Sequence, residues 1–382
     1  MEEIYSIYTG PSKQFQNKLE RAVDMENVIH LRELVLEMDS KNFNNWIEEN
    51  RNQSRTLICN AEAFSSVKEH FVANLPYILK LLVDYGCIDK CYFQNPPSVF
   101  TKGLKRIVGD VLTEESYKYE KITRDNLLSI YQRYNEEIIG QNDTLIEILS
   151  TLYPLTAANA EKPVVMMFYG PAGVGKTESA KIINNALTNG ELFRQQLSMF
   201  QTGDFGSYLF GSSLEHPALA RDLLNRESNI ILFDEFNRCS SAVHSAFFQM
   251  FDEGIFVDKN YEVNLKNSVI ICTANYESRE EIFSALGGPL FSRFDHFLHF
   301  NYLSIDAKKT LIQEKYLALL DQWTGKEKEL LKEPEHIETL VKNAEFFTNA
   351  RNIEKGVKGY MSKVLVKYMI EESAKESEFV SK

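Results

Sequence analysis

The run Gly170-Pro171-Ala172-Gly173-Val174-Gly175-Lys176-Thr177 has the spacing G-x-x-x-x-G-K-[ST]. Glycines at those positions let the backbone curl so that its N–H groups surround a phosphate chain, and the partial positive charge of a helix N-terminus adds to the attraction. Lys176 then has the reach for the outer phosphates, and the Thr177 hydroxyl the chemistry for Mg²⁺. Further along, Ile231-Leu232-Phe233-Asp234-Glu235 is an apolar stretch that ends in two acids. Carboxylates at the C-terminal end of a central strand face the crevice where open α/β sheets take their ligands. Asp234 suits Mg²⁺ or its water shell, and Glu235 suits the orientation and activation of an attacking water. Two acids after a strand are by themselves more often a solvated strand end. The loop upstream reverses that reading and points to ATP, Mg²⁺ and phosphoryl transfer to water.

Such residues must be held by a buried sheet. Val164 to Tyr169 is a continuous apolar run of strand length, fitting a parallel strand covered on both faces. Thr177 to Leu187 is helical, with Ala180, Ile183, Ala186 and Leu187 on its apolar side, and Asn189-Gly190 stops it. Ile230 to Phe233 and Val269 to Cys272 read as two more buried strands. The segment is therefore an α/β domain with a parallel sheet. Beyond Asp306 the pattern is helical almost to the end, which predicts a small helical subdomain. Apolar residues recur at helical spacing from Val28 to Met38 and from Val67 to Val83, so the first hundred residues read as mostly helical, with a short strand at Arg55 to Cys59. The polar stretch Thr113 to Lys121 marks the boundary, and no internal repeat is visible. The expected division is 1–118, a mostly helical N-terminal domain; 119–302, the large α/β subdomain; and 303–382, the small helical one.

With these residues in place, the stretch from Ile138 to Arg351 resembles the AAA+ superfamily, and within it the Clp-type unfoldase ATPase modules. Ile138-Ile139-Gly140-Gln141 is similar to the box that precedes the first strand and contacts adenine in that family. Thr273-Ala274-Asn275 resembles sensor 1, which implies that Asn275 helps to place the lytic water. Leu290 to Asp295 resembles the arginine-finger segment, which gives Arg293 that role. Asn349-Ala350-Arg351 resembles the sensor 2 triplet, implying that Arg351 contacts the γ-phosphate. The resemblance thus implies catalytic Lys176, Glu235, Asn275 and Arg293. It implies nucleotide contacts from Ile138, Ile139, Gly140, Gly170, Pro171, Ala172, Gly173, Val174, Gly175, Lys176, Thr177, Glu178 and Arg351, and a metal held by Thr177 and Asp234. An arginine that serves a neighbour's nucleotide requires head-to-tail assembly into a closed ring, and the family's expectation is a hexamer. The chain departs from the family where a glycine-flanked aromatic pore loop belongs. The stretch Tyr208 to Pro217 is shortened, with Phe205, Tyr208 and Phe210 as the available substitutes. No tripeptide of the Ile-Gly-Phe type is present for docking on a peptidase.

Composition narrows the partners. A formal net charge of −12 disfavours a phosphate-tracking surface and favours protein over nucleic acid, to which a local basic patch would be the remaining route. Five scattered cysteines do not form a disulfide framework. The acidic Glu2-Glu3 start lacks the features of a secretory signal, and no apolar run is long enough for a membrane span, so a cytoplasmic location is expected. Three functions stay open: remodelling of a protein partner, an ATP-gated ring scaffold that activates or restrains an effector, and remodelling of nucleic acid.

Overall fold

The computed structural model describes residues 4–39, 42–157, 162–199, 204–239 and 243–380. In the first part of the chain, β1 (Tyr5–Thr9), α1 (Ser12–Ala22), β2 (Val28–His30), α2 (Leu31–Asp39), α3 (Phe43–Asn50), β3 (Arg55–Cys59), α4 (Glu69–Asp84), β4 (Ile88–Gln94), α5 (Ser98–Val108) and β5 (Leu112–Ser116) follow in turn. Its five strands form one sheet of order β2-β3-β4-β1-β5, parallel at every pairing. The expectation of a mostly helical region holds as a count of residues but misses the organising element. Helices α2 and α4 lie within the segments read as helical, although Val28 stands in β2 and the buried face runs through Leu34, Val72, Leu75, Leu79 and Leu82. Strand β3 is the short strand expected at Arg55 to Cys59, but other strands escaped: β2 has three residues, β4 carries the exposed Asp89 and Lys90 straight after Ile88, and β5 carries Glu114 and Glu115 on the sheet edge. Charged edge strands are a usual protection against edge-to-edge pairing, and they read as linker. Half of the supposed boundary, Thr113 to Ser116, is thus strand.

After α6 (Arg124–Glu137) and α7 (Asn142–Leu152) comes a second sheet. Its elements are β6 (Val164–Tyr169), α8 (Lys176–Leu187), β7 (Phe193–Gln196), α9 (Asp204–Phe210), α10 (Leu219–Leu224), β8 (Ile230–Asp234), α11 (Ala246–Glu253), the hairpin β9 (Ile255–Val257) and β10 (Glu262–Asn264), β11 (Val269–Ala274), α12 (Arg279–Phe291) and β12 (His296–His299). The order is β12-β6-β11-β8-β7, again all parallel. The central strands β6, β8 and β11 are the three apolar runs picked out by sequence, and all but Val164 of their residues are buried. Helices α13 (Ile305–Leu320), α14 (Gly325–Leu331), α15 (Pro334–Lys342) and α16 (Ala350–Val380) complete the chain as an all-helical unit. One apolar core runs without interruption from Phe93 and Phe100 under the first sheet to Leu219 and Phe233 under the second. The other face of the second sheet shares its core with α13 and α16. Among the described residues no helix is long and apolar enough to cross a membrane.

Candidate active site

The loop between β6 and α8 turns on three glycines with positive φ, Gly170 at 130°, Gly173 at 73° and Gly175 at 111°. Two of them are also sites of close approach. A Cβ on Gly170 would stand 2.1 Å from the Phe300 carbonyl oxygen, and one on Gly173 would stand 2.9 Å from the Asn349 side chain. A side chain at either place therefore needs both strained backbone and displaced neighbours. Val174 is buried beneath the loop, while Pro171 and Ala172 form its outer rim.

Lys176 opens α8 and is only 7% exposed. Its Nζ donates to the carbonyls of Gly170 at 2.6 Å and Pro171 at 2.7 Å, and to Asn275 Oδ1 at 3.0 Å. Burial lowers the amine to about 8; Asp234 and Glu277 oppose that shift and Arg351 adds to it. An amine that has lost its water and found no carboxylate in direct contact is arranged to receive an anion. Thr177 Oγ1 lies 3.4 and 3.5 Å from the two oxygens of Asp234. Asp234 is buried, accepts from the Thr273 hydroxyl and from Arg194, and the Arg194 Nε contact is 3.1 Å. Glu235 follows with φ of 57°, a left-handed conformation uncommon for a residue with a side chain, and its amide donates to Thr273 Oγ1 at 3.0 Å. Such strain persists only where surrounding structure fixes it.

The remaining residues split into two groups. Ile138 packs beside Gly175, Gly140 (φ 81°) stands close to Ala307 of α13, and Gln141 exchanges two hydrogen bonds with the Asn301 backbone. Ile139, next to them, is half-buried. Asn349 covers Gly173, the Ala350 amide donates to the Gly173 carbonyl at 3.0 Å, and Arg351 follows on the first turn of α16, near enough to act on the Lys176 charge. The helical C-terminal unit is therefore seated on the loop. Glu178 pairs with Lys181 at 3.0 Å on the exposed side of α8. Arg293 is not part of this convergence. Its Nε binds Asp252 at 2.7 Å and its guanidinium lies 4.4 Å over the Phe248 ring. Asp295, the nearer acid in sequence, instead caps the Val165 amide and pairs with Lys162.

Sequence reasoning missed Arg194. It sits mid-strand in β7, one strand over from Asp234, and parallel registry sets it opposite Leu232. No linear spacing marks such a pair. The pore substitutes also separate: Phe205 and Tyr208 are buried, the Tyr208 hydroxyl donating to Asp222 at 2.8 Å, whereas Phe210 is exposed.

A parallel sheet, a glycine-rich loop closed by a buried lysine, and a threonine set against a strand-end aspartate together have the form of a P-loop nucleotide-binding module. Residues 161–322 match the model of the AAA domain (Cdc48 subfamily). Over 164 residues the chain is 32% identical to the chaperone protein ClpB of Yersinia enterocolitica, covering 40% of this chain and 18% of that one. It is 30% identical over 163 residues to the AAA+ ATPase ClpV1 of Pseudomonas aeruginosa, covering 40% of this chain and 18% of that one. The chain thus spans less than a fifth of the length of these curated relatives. A closed-state cryo-EM reconstruction of Hsp104 shares the fold over 94% of this chain and 69% of its own, with a TM-score of 0.55 at 16% identity. Residues 161–322 are thus similar in sequence to the AAA domains of Clp-type ATPases.

Proposed function

We propose that the chain binds ATP with Mg²⁺ in this site, hydrolyses it within a ring of like subunits, and uses the cycle to remodel a protein partner engaged through residues 1–118. Residues 119–302 and 303–382 are taken as the two halves of the motor. The observation that carries the reading is the convergence of Lys176, Thr177, Asp234 and Asn275 at the C-terminal ends of β6, β8 and β11. Lys176 gives up its two loop carbonyls and neutralises the outer phosphates. Thr177 and Asp234, an oxygen-only pair already within 3.5 Å, fit the ligand preference of Mg²⁺. When bound, the ion draws charge from the phosphate oxygens. Glu235 holds the proton of the attacking water, with Asn275 fixing the water's position. Arg351, delivered by α16, ties closure of the helical unit to the γ-phosphate. Arg293, remote from its own loop and paired with Asp252, serves a neighbour's nucleotide, which needs a closed head-to-tail ring, taken as a hexamer.

ClpB is named a chaperone, and the Hsp104 reconstruction contains ATPγS and FITC casein; both favour a polypeptide substrate here. A second reading is supported by the burial of Phe205 and Tyr208, which leaves Phe210 as the exposed aromatic of that stretch: the ring is an ATP-gated scaffold for an effector. Glu235→Gln separates the two, because it permits binding without hydrolysis. A remodeller stalls with its partner trapped, whereas a scaffold stays switched on. Absence of both trapping and ATP turnover in the unaltered chain rejects the proposal.

A further inference from the structure

The two sheets of this chain share one strand order. Numbered within its own unit, each runs second, third, fourth, first, fifth, with all neighbours parallel. This is neither of the common orders 3-2-1-4-5 and 2-1-3-4-5 of doubly wound folds. The strand registers then align the units residue by residue. Each first strand ends at a glycine with positive φ, Gly10 and Gly170. Three residues before them, Ile7 pairs with Phe93 and Met167 pairs with Cys272; across the next ladder Phe93 meets Cys59 and Cys272 meets Phe233. Asn60 therefore stands where the second unit has Asp234, and Ala61 where it has Glu235. The glycine loop is shortened as well. Helix α1 starts at Ser12, directly after Pro11, whereas α8 starts at Lys176, beyond the whole cradle. The first unit lacks both acids and the length of loop that surrounds phosphates, and the lysine in the first turn of its helix, Lys13, is exposed where Lys176 is buried.

What fills the mouth is a set of neutral amides. In the second unit the Gly170 carbonyl accepts from Lys176. In the first, the Gly10 carbonyl accepts from Gln94 Nε2 at 3.0 Å and Asn95 Nδ2 at 2.9 Å, and the Gly10 amide donates back to Asn95 Oδ1 at 2.8 Å. Gln94 and Asn95 are fully buried, and both also donate, at 2.9 and 3.0 Å, to one oxygen, Oδ1 of Asn225. Asn225 caps α10 of the ATPase unit. We infer that residues 5–116 are a second copy of the ATPase core that has lost its phosphate site and uses the vacated mouth to grip the ATPase unit through Asn225, so that each chain carries one nucleotide. Flanking contacts agree with a fixed seat: Lys259 pairs with Glu69 at 2.8 Å, the Ser98 amide donates to the Asn260 carbonyl, and Arg226 lies over the Tyr119 ring at 4.5 Å.

The inference takes the reading of the second unit as its reference, and two measurements keep them apart. Calorimetric titration of the full chain with Mg²⁺–ATPγS is expected to give one equivalent per chain, abolished by Lys176→Ala. A second equivalent, or one that survives Lys176→Ala, overturns the loss of the first site; no binding at all overturns the proposed function and leaves the grip to the other measurement. Hydrogen exchange reads that grip. Asn225→Ala is expected to speed exchange of the Gly10 amide about tenfold, as loss of one or two buried hydrogen bonds implies, with the 164–176 segment unchanged. Asn225→Asp, which keeps the accepting oxygen, restores protection. Equal protection of Gly10 in the alanine variant and the unaltered chain overturns the docking role.

Discussion

Lys176 is the residue whose chemistry most depends on its surroundings. Because burial places its folded value near 8, below the ordinary 10.5, the folded nucleotide-free chain binds fewer protons than the unfolded chain between those values. Stability of the nucleotide-free chain therefore rises with pH across that window. Triphosphate binding restores the charge, so about half a proton per nucleotide should be taken up at pH 8, where the amine is half-protonated. Calorimetry in buffers of different ionisation enthalpy measures that uptake, and identical heats in all buffers would contradict it. Arg194 makes the second prediction at this scale. Its guanidinium pairs with the Asp234 carboxylate proposed to hold Mg²⁺, so Arg194→Ala should lower the Mg²⁺ concentration for half-maximal ATP binding several-fold. Since Arg194 is partly exposed, the variant should lose only about 1 kcal/mol of stability in denaturant titration. An unchanged Mg²⁺ requirement would show that the ion pair does not compete.

Among the elements, the loop and α16 are made for each other. Gly173 has both a left-handed φ and Asn349 pressed against the place of its Cβ. Gly173→Ala should therefore cost about 1–3 kcal/mol and weaken ATPase activity beyond its effect on binding, because α16 is lifted and Arg351 with it. Asn349→Ala, which removes the neighbour, leaves the loop glycine and loses the N-cap bond from the Asn352 amide, should cost only about 1 kcal/mol while still slowing turnover. A Gly173→Ala protein with unaltered turnover would mean that α16 does not report on the loop. The same elements show how far spacing reaches. Strands β6, β8 and β11 are legible because a strand buried on both faces has to be apolar throughout. Strand β5, one face of an edge, has no such requirement and reads as linker.

For the whole molecule, placement of Arg293 against Asp252 rather than at its own loop makes assembly testable. Arg293→Ala chains should keep nucleotide affinity and lose turnover by about 10³-fold or more. Mixing them with Lys176→Ala chains, which bring an intact Arg293 but an empty site, should restore part of the activity at mixed interfaces. No recovery at any ratio, with both variants assembling, would place Arg293 outside catalysis.

The sequence alone determined the nucleotide chemistry and the sheet that holds it, because a phosphate loop is a contiguous stretch whose glycines and lysine are dictated by local backbone geometry. It also placed Asp234, Glu235 and Asn275 at strand ends, where their order follows from the apolar runs before them. Only the tertiary structure decided that Arg194 neutralises Asp234, that Phe205 and Tyr208 are buried, and that Arg293 turns to Asp252. Each of these depends on which strands and helices become neighbours, and strand registry leaves no linear signature. The likeness of the two sheets belongs to the same class. Strand order is a property of three-dimensional pairing, and it survives in this chain after the residues that would have announced it, two acids and a full-length glycine loop, are gone from the first copy.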